Sequence, residues 1–117
     1  MASSVLIVDD NARFRSRARR WLEAGGFVVV AEAADGASAL EAARSHRPTV
    51  VLLDVQLPDM SGLTVADRLA SEPEPPAVVL TSTHDASDFG DRALRRNARG
   101  FLPKAELSGE ALSALLR

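Results

Sequence analysis

Five polar residues stand where apolar runs end. Asp9 and Asp10 close Val5-Leu6-Ile7-Val8, Asp54 closes Val50-Val51-Leu52-Leu53, Thr81 follows Val78-Val79-Leu80, and Lys104 follows Gly100-Phe101-Leu102-Pro103. Adjacent carboxylates repel: at an effective dielectric of about 20, like charges about 4 Å apart cost about 4 kcal/mol. If Asp54 joined them, at least one of the three pKa values would be pushed upward unless a cation intervened. Magnesium suits such a group, since it takes oxygen ligands, keeps several waters and needs only one or two carboxylates. The chain has no cysteine and two histidines, which leaves oxygen as the metal donor. With a metal present, Asp54 can act as a nucleophile toward phosphorus, because carboxylates form aspartyl phosphates. Phosphoryl transfer otherwise asks for positioning and neutralisation of the equatorial oxygens. Lys104 offers a compact charge for that work and Thr81 a hydroxyl donor. Of the 14 basic residues all but Lys104 are arginine, so a lysine here points to a need for the smaller ammonium head.

The elements between these residues must bring them together. Val5–Val8 reads as a strand covered on both faces, since a strand buried on one face would alternate apolar with polar. In "NARFRSRARRWLEAGG" the residues Phe14, Ala18, Trp21 and Leu22 recur at helical spacing, with arginines on the other face, Asn11 as a start cap and Gly25 or Gly26 as a stop. "FVVVAEA" from Phe27 is a second strand, and "DGASALEAARSH" from Asp35 a helix carrying Leu40 and Ala43 inward. "TVVLLD" over 49–54 is a third strand. A short helix follows from Gly62, then the rigid loop "SEPEPP", a strand from Ala77, a helix from Ala86 weakened by Gly90, a strand at "GFLP" and a closing helix at "ELSGEALSALLR". Five strands alternating with five helices, each strand apolar nearly throughout, imply a doubly wound α/β fold: a parallel sheet with helices on both faces. Ligands of such sheets bind beyond the carboxyl ends of the strands, where strand order reverses. Asp9, Asp10, Asp54, Thr81 and Lys104 can all meet at that edge.

A chain of 117 residues is the size of one domain, here read as 1–117 without a linker. Its net charge of -2, with both signs mixed along the chain, lacks the electrostatic footprint of a nucleic-acid binder. The opening "MASSVLIVDD" has no basic leader or signal-like apolar segment, and no run approaches transmembrane length, so a cytoplasmic protein that makes no membrane contact is the expectation.

The motifs "VDD" at 8–10, "LLDVQLPDMSG" at 52–62, "VVLTS" at 78–82 and "GFLPK" at 100–104, in this order on an alternating βα chain, resemble the receiver domain of two-component response regulators. The match spans essentially the whole chain, and "GFLPKAEL" is closest in style to receivers of LuxR-type transcriptional regulators. The resemblance implies a flavodoxin-like (βα)5 sheet with strand order 2-1-3-4-5. It makes Asp54 the phosphoacceptor. Asp9, Asp10, Asp54 and the backbone carbonyl of Gln56 become the ligands of Mg2+, with Mn2+ as a substitute. Thr81 becomes the switch hydroxyl, Phe101 the switch aromatic, and Lys104 the lysine that contacts the phosphoryl group. The implied partner is a sensor histidine kinase or phosphotransfer protein. Self-phosphorylation and autodephosphorylation are the only chemistry implied, with no external turnover. Phosphorylation would remodel the surface of the fourth helix, fifth strand and closing helix, where family members dimerise or contact an output, here transcription through a DNA-binding domain absent from this chain. Many receivers have Lys-Pro after the fifth strand, whereas here Pro103 precedes Lys104 and Ala105 follows, so the usual cis bond is not implied. Gln56 and Thr83 stand where family members tune phosphoryl lifetime.

Plainer readings stand beside these. Asp9 and Asp10 could be a helix cap and its neighbour, Asp54 a turn residue, and Ser82 or Thr83 the hydroxyl in place of Thr81. Phe101 is buried on either account. Arg13, Arg15, Arg17, Arg19 and Arg20 are most simply a solvated face, although in the family this helix contributes to kinase docking. His46 and His84 read as surface residues, the latter near the active edge. A phosphatase of the haloacid dehalogenase type would need a second aspartate at position 56, which is Gln. A pseudo-receiver, an interaction module that is not phosphorylated, is the other alternative.

Overall fold

The computed structural model describes residues 3–83 and 98–117. Its strands are β1 (Ser4–Val8), β2 (Val28–Ala33), β3 (Val50–Asp54), β4 (Ala77–Ser82) and β5 (Gly100–Pro103). Its helices are α1 (Ala12–Ala24), α2 (Gly36–His46), α3 (Gly62–Ala70) and a C-terminal helix, Gly109–Leu116, preceded by a 3-10 turn at Lys104–Glu106. All five strands pair in parallel in the order β2-β1-β3-β4-β5. The described residues thus hold four α-helices, and the helix expected from Ala86 lies outside them, as does His84.

The apolar runs divide by pleat. Val5 and Ile7 of β1, Val50 and Leu52 of β3 and Val79 of β4 are buried with Phe14, Ala18 and Leu22 of α1 and Leu112 of the C-terminal helix. Their neighbours Leu6, Val8, Val51, Leu53, Val78 and Leu80 are buried with α2 residue Ala39 and α3 residues Leu63, Val65, Ala66 and Leu69. Successive side chains of a strand point to opposite faces, so an unbroken apolar run is what a sheet covered on both sides requires. β1 and β3 leave the sheet toward opposite faces, β1 to α1 and β3 to α3, and the crevice between them opens at their carboxyl ends.

Local signals set the helix ends. Asn11 accepts the Phe14 N–H, Asp35 the Ser38 N–H, Ser61 the Leu63 N–H and Ser108 the Ala111 N–H, each oxygen satisfying a donor the helix cannot. Two expectations need correction. Trp21 is not inward: it is 41% exposed, with the Arg17 guanidinium 6.0 Å from its ring centroid. One step around the helix from Leu22, it falls just off the stripe that meets the sheet. Phe101 is only half-buried, packed against the core on the α2 and α3 side, because β5 is the outermost strand of the described sheet. Leu40 and Ala43 face inward and are partly buried, and His46 is exposed at the end of α2.

Candidate functional site

Pleat parity selects the side chains of the site. Asp9, Asp54 and Thr81 each lie two residues beyond a residue buried against α1, namely Ile7, Leu52 and Val79, so each continues the same face past the last apolar layer. Thr81 is in register with Asp54 across the β3–β4 ladder, whereas Ser82 has the opposite parity and Thr83 is exposed beyond the strand. That distinguishes Thr81 from its neighbours.

Asp9 is fully buried, Asp54 is 4% exposed and Asp10 is exposed. One oxygen from each of these three carboxylates lies within 4.8 Å of the others. The Lys104 ammonium stands among them, 2.5 Å from Asp9 Oδ2 and 3.1 Å from Asp54 Oδ2. The turn after β5 aims this lysine back over the strand ends, and the chain at Pro103, Lys104 and Ala105 contains no cis peptide bond. Asp54 Oδ1 accepts the Gln56 N–H at 3.0 Å, and Asp9 Oδ1 accepts the Asn11 N–H at 2.9 Å. Gln56 itself is exposed, and it bridges to Ser61 across the loop that leads into α3.

The electrostatics leave the site short of positive charge. Three carboxylates face one ammonium, a surplus of two negative charges. Burial pushes the Asp54 carboxyl above the ordinary carboxylate value, against the pull of the Gln56 N–H and Lys104, while Asp9 adds to the rise. Burial works against the Lys104 ammonium, but its close pairing with the carboxylates of Asp9 and Asp54 outweighs this and raises its pKa. Two buried oxygens lack a directed hydrogen bond among the described residues. Asp9 Oδ2 has only its ion pair with Lys104, and Thr81 Oγ1 has no partner. Orphaned buried polar atoms are uncommon and point to a ligand. The donor set is all oxygen and its surplus charge is that of one divalent ion, so these residues fit magnesium.

Sequence reasoning missed several supports. Arg15 is not merely solvated: its Nη1 donates to the Asp9 carbonyl oxygen at 2.5 Å and its Nε pairs with Glu32 at 3.1 Å, while Arg19 meets the same carboxylate at 2.8 Å. The signal was the i, i+4 spacing of Arg15 and Arg19 toward the acidic residue of β2. Asp59 reaches across to α2 and accepts the N–H groups of Gly36 and Ala37 at 2.7 and 2.9 Å, and these bonds hold its carboxyl below the usual range. Nothing in "LPDMSG" alone names that partner.

Residues 5–116 match the model of the response regulator receiver domain. The chain belongs to this family. It is 42% identical over 113 residues to the "Probable transcriptional regulatory protein NarL" of Mycobacterium tuberculosis, a match covering 96% of this chain and 52% of that protein. Among solved structures, it superposes on the signal receiver domain of NarL from the same organism with a TM-score of 0.86 at 38% identity, covering 98% of this chain and 97% of that one. A two-component response regulator of the LuxR family from Aurantimonas gives a TM-score of 0.89 at 29% identity, covering 99% and 86%. The flavodoxin-like sheet of five parallel strands and the likeness to receivers of LuxR-type regulators both agree with these relatives. This receiver spans about half the length of the curated relatives it matches. No described helix is long and apolar enough to cross a membrane.

Proposed function

We propose that this receiver is a two-component signalling switch that accepts a phosphoryl group on Asp54. The observation that carries the reading is the cluster of Asp9, Asp10 and Asp54 around the Lys104 ammonium, with Thr81 Oγ1 buried beside it and without a hydrogen-bond partner among the described residues. Asp9, Asp10, Asp54 and the Gln56 carbonyl would hold Mg2+. When bound, that ion neutralises charge on the carboxylates and on phosphoryl oxygens. Asp54, fixed by Gln56 N–H and Lys104, forms a bond to phosphorus as the P–N bond to a phosphohistidine of a sensor kinase or phosphotransfer protein breaks, and the imidazole departs. Lys104 and the Thr81 hydroxyl then meet the new oxygens. Phosphorylation adds roughly one to two negative charges, which would draw Thr81 toward the acceptor, and Phe101, half-buried on the neighbouring strand, would turn in response. The surface of β5 and the C-terminal helix would respond, by dimerisation or by releasing an output. Likeness to a named transcriptional regulator supports a transcriptional output through a domain other than this one.

The test is incubation with acetyl phosphate and magnesium followed by intact-mass measurement. One phosphoryl adduct is expected on the wild type, none on Asp54→Asn, and strongly reduced yield with EDTA. An adduct that persists in Asp54→Asn moves the acceptor elsewhere, and its absence from the wild type favours an unphosphorylated interaction module.

A further inference from the structure

Among the described residues, three groups are seen in close contact with the Lys104 ammonium. Two are the carboxylates of Asp9 and Asp54, and the third is the Phe14 ring, whose centroid lies 4.8 Å from Nζ, within the range of cation–π attraction. Phe14 rises from the first turn of α1 and is 4% exposed. The next members of the same buried stripe, Ala18 and Leu22, are aliphatic. A ring differs from every other neighbour an ammonium could have. Its quadrupole attracts the cation, yet it offers no lone pair that an incoming phosphoryl oxygen would have to displace. Being uncharged, it leaves the ammonium's charge for the acceptor and its phosphoryl group. The lysine side chain is only 15% exposed, so water covers little of it, and the ring supplies part of the stabilisation that hydration would otherwise give.

We propose that Phe14 is a positioning residue for phosphoryl transfer: its ring face steadies the Lys104 ammonium beside Asp54 without drawing on its charge. The inference rests on the phosphotransfer reading above, and its test separates the two. Phenylalanine analogues with one, two and three ring fluorines, placed at position 14 alone in the full chain, weaken the quadrupole while barely changing volume. The logarithm of the rate constant for Asp54 phosphorylation by acetyl phosphate is expected to fall in steps with fluorine number. The total loss is about two- to thirty-fold, the span of a cation–π contact from exposed to desolvated. A flat series overturns the proposal. In EDTA the same series should raise the urea-unfolding equilibrium constant stepwise in the wild type and leave it level in Lys104→Met. Equal responses in both backgrounds overturn the ring–ammonium contact even if phosphorylation proceeds. Conversely, a stepwise unfolding response in a wild type that takes up no phosphoryl group sustains the contact and removes the phosphotransfer reading, and with it the positioning role.

Discussion

Gly62 packs directly against the end of β3, the strand that carries the proposed acceptor Asp54. A methyl group on it would lie 2.1 Å from the Asp54 carbonyl oxygen and 2.8 Å from Val55 Cα, where ordinary contact begins at 3.4 Å. The Gly62 N–H also donates to the Val55 carbonyl at 2.7 Å. Its backbone is not left-handed, so Gly62→Ala acts by overlap, and α3 would have to part from the end of β3 by roughly 1.3 Å. Overpacking of this kind costs about 1–3 kcal/mol, a fall of roughly 5–15 °C in Tm for a domain of this size. A displacement near 1 Å at a reacting group costs about 10²-fold in rate. Phosphorylation of Gly62→Ala at a temperature where it remains folded should therefore slow by about two orders of magnitude, read as adduct mass against time. Gly26 provides the control. It has φ 92° and no atom within 4 Å of an added Cβ, so Gly26→Ala should lose about 1 kcal/mol through backbone strain and keep the wild-type rate. If folded Gly62→Ala phosphorylates as fast as the wild type, the close approach of α3 does not position Asp54.

Magnesium at about a hundred times its Kd should stabilise the wild type by about 2.7 kcal/mol in urea titrations. Asp9→Asn should lose most of that gain and Asp59→Asn should keep it, because Asp59 binds the end of α2 instead; equal gains in both variants would place the ion elsewhere. In EDTA, the raised pKa of Asp54 means that the folded state holds more protons than the unfolded one between pH 3.8 and the folded value. Its contribution to stability therefore falls as pH rises through that window. The raised Lys104 pKa contributes stability that is present below pH 10.5 and lost as pH climbs through its folded value. Denaturation midpoints measured at stepped pH check both signs, and the fall with rising pH above 3.8 attributable to Asp54 should vanish in Asp54→Asn.

Much of this molecule was legible along the chain. The runs Val5–Val8 and Val50–Leu53 could only be strands covered twice, and the helix starts at Asn11, Asp35 and Ser61 carry their own capping oxygens. Asp9, Asp54 and Lys104 announced themselves as charges at the ends of apolar strands, and a parallel sheet collects strand ends at one edge. What the chain alone left open depended on angles and partners distant in sequence. Thr81 rather than Ser82 faces Asp54 because of pleat parity and the β3–β4 register. Trp21 misses the core because a helix turns 100° per residue and the contact stripe is narrow. The Phe14 ring under Lys104, the Arg15 hold on the Asp9 carbonyl and the Asp59 fork on α2 join segments 6 to 90 residues apart. No local pattern encodes them. Residue types and periodicity settled which groups could do chemistry and at which edge, whereas the twist, register and crossovers of the sheet settled which atoms touch, because side-chain contact depends on where distant backbones come to lie.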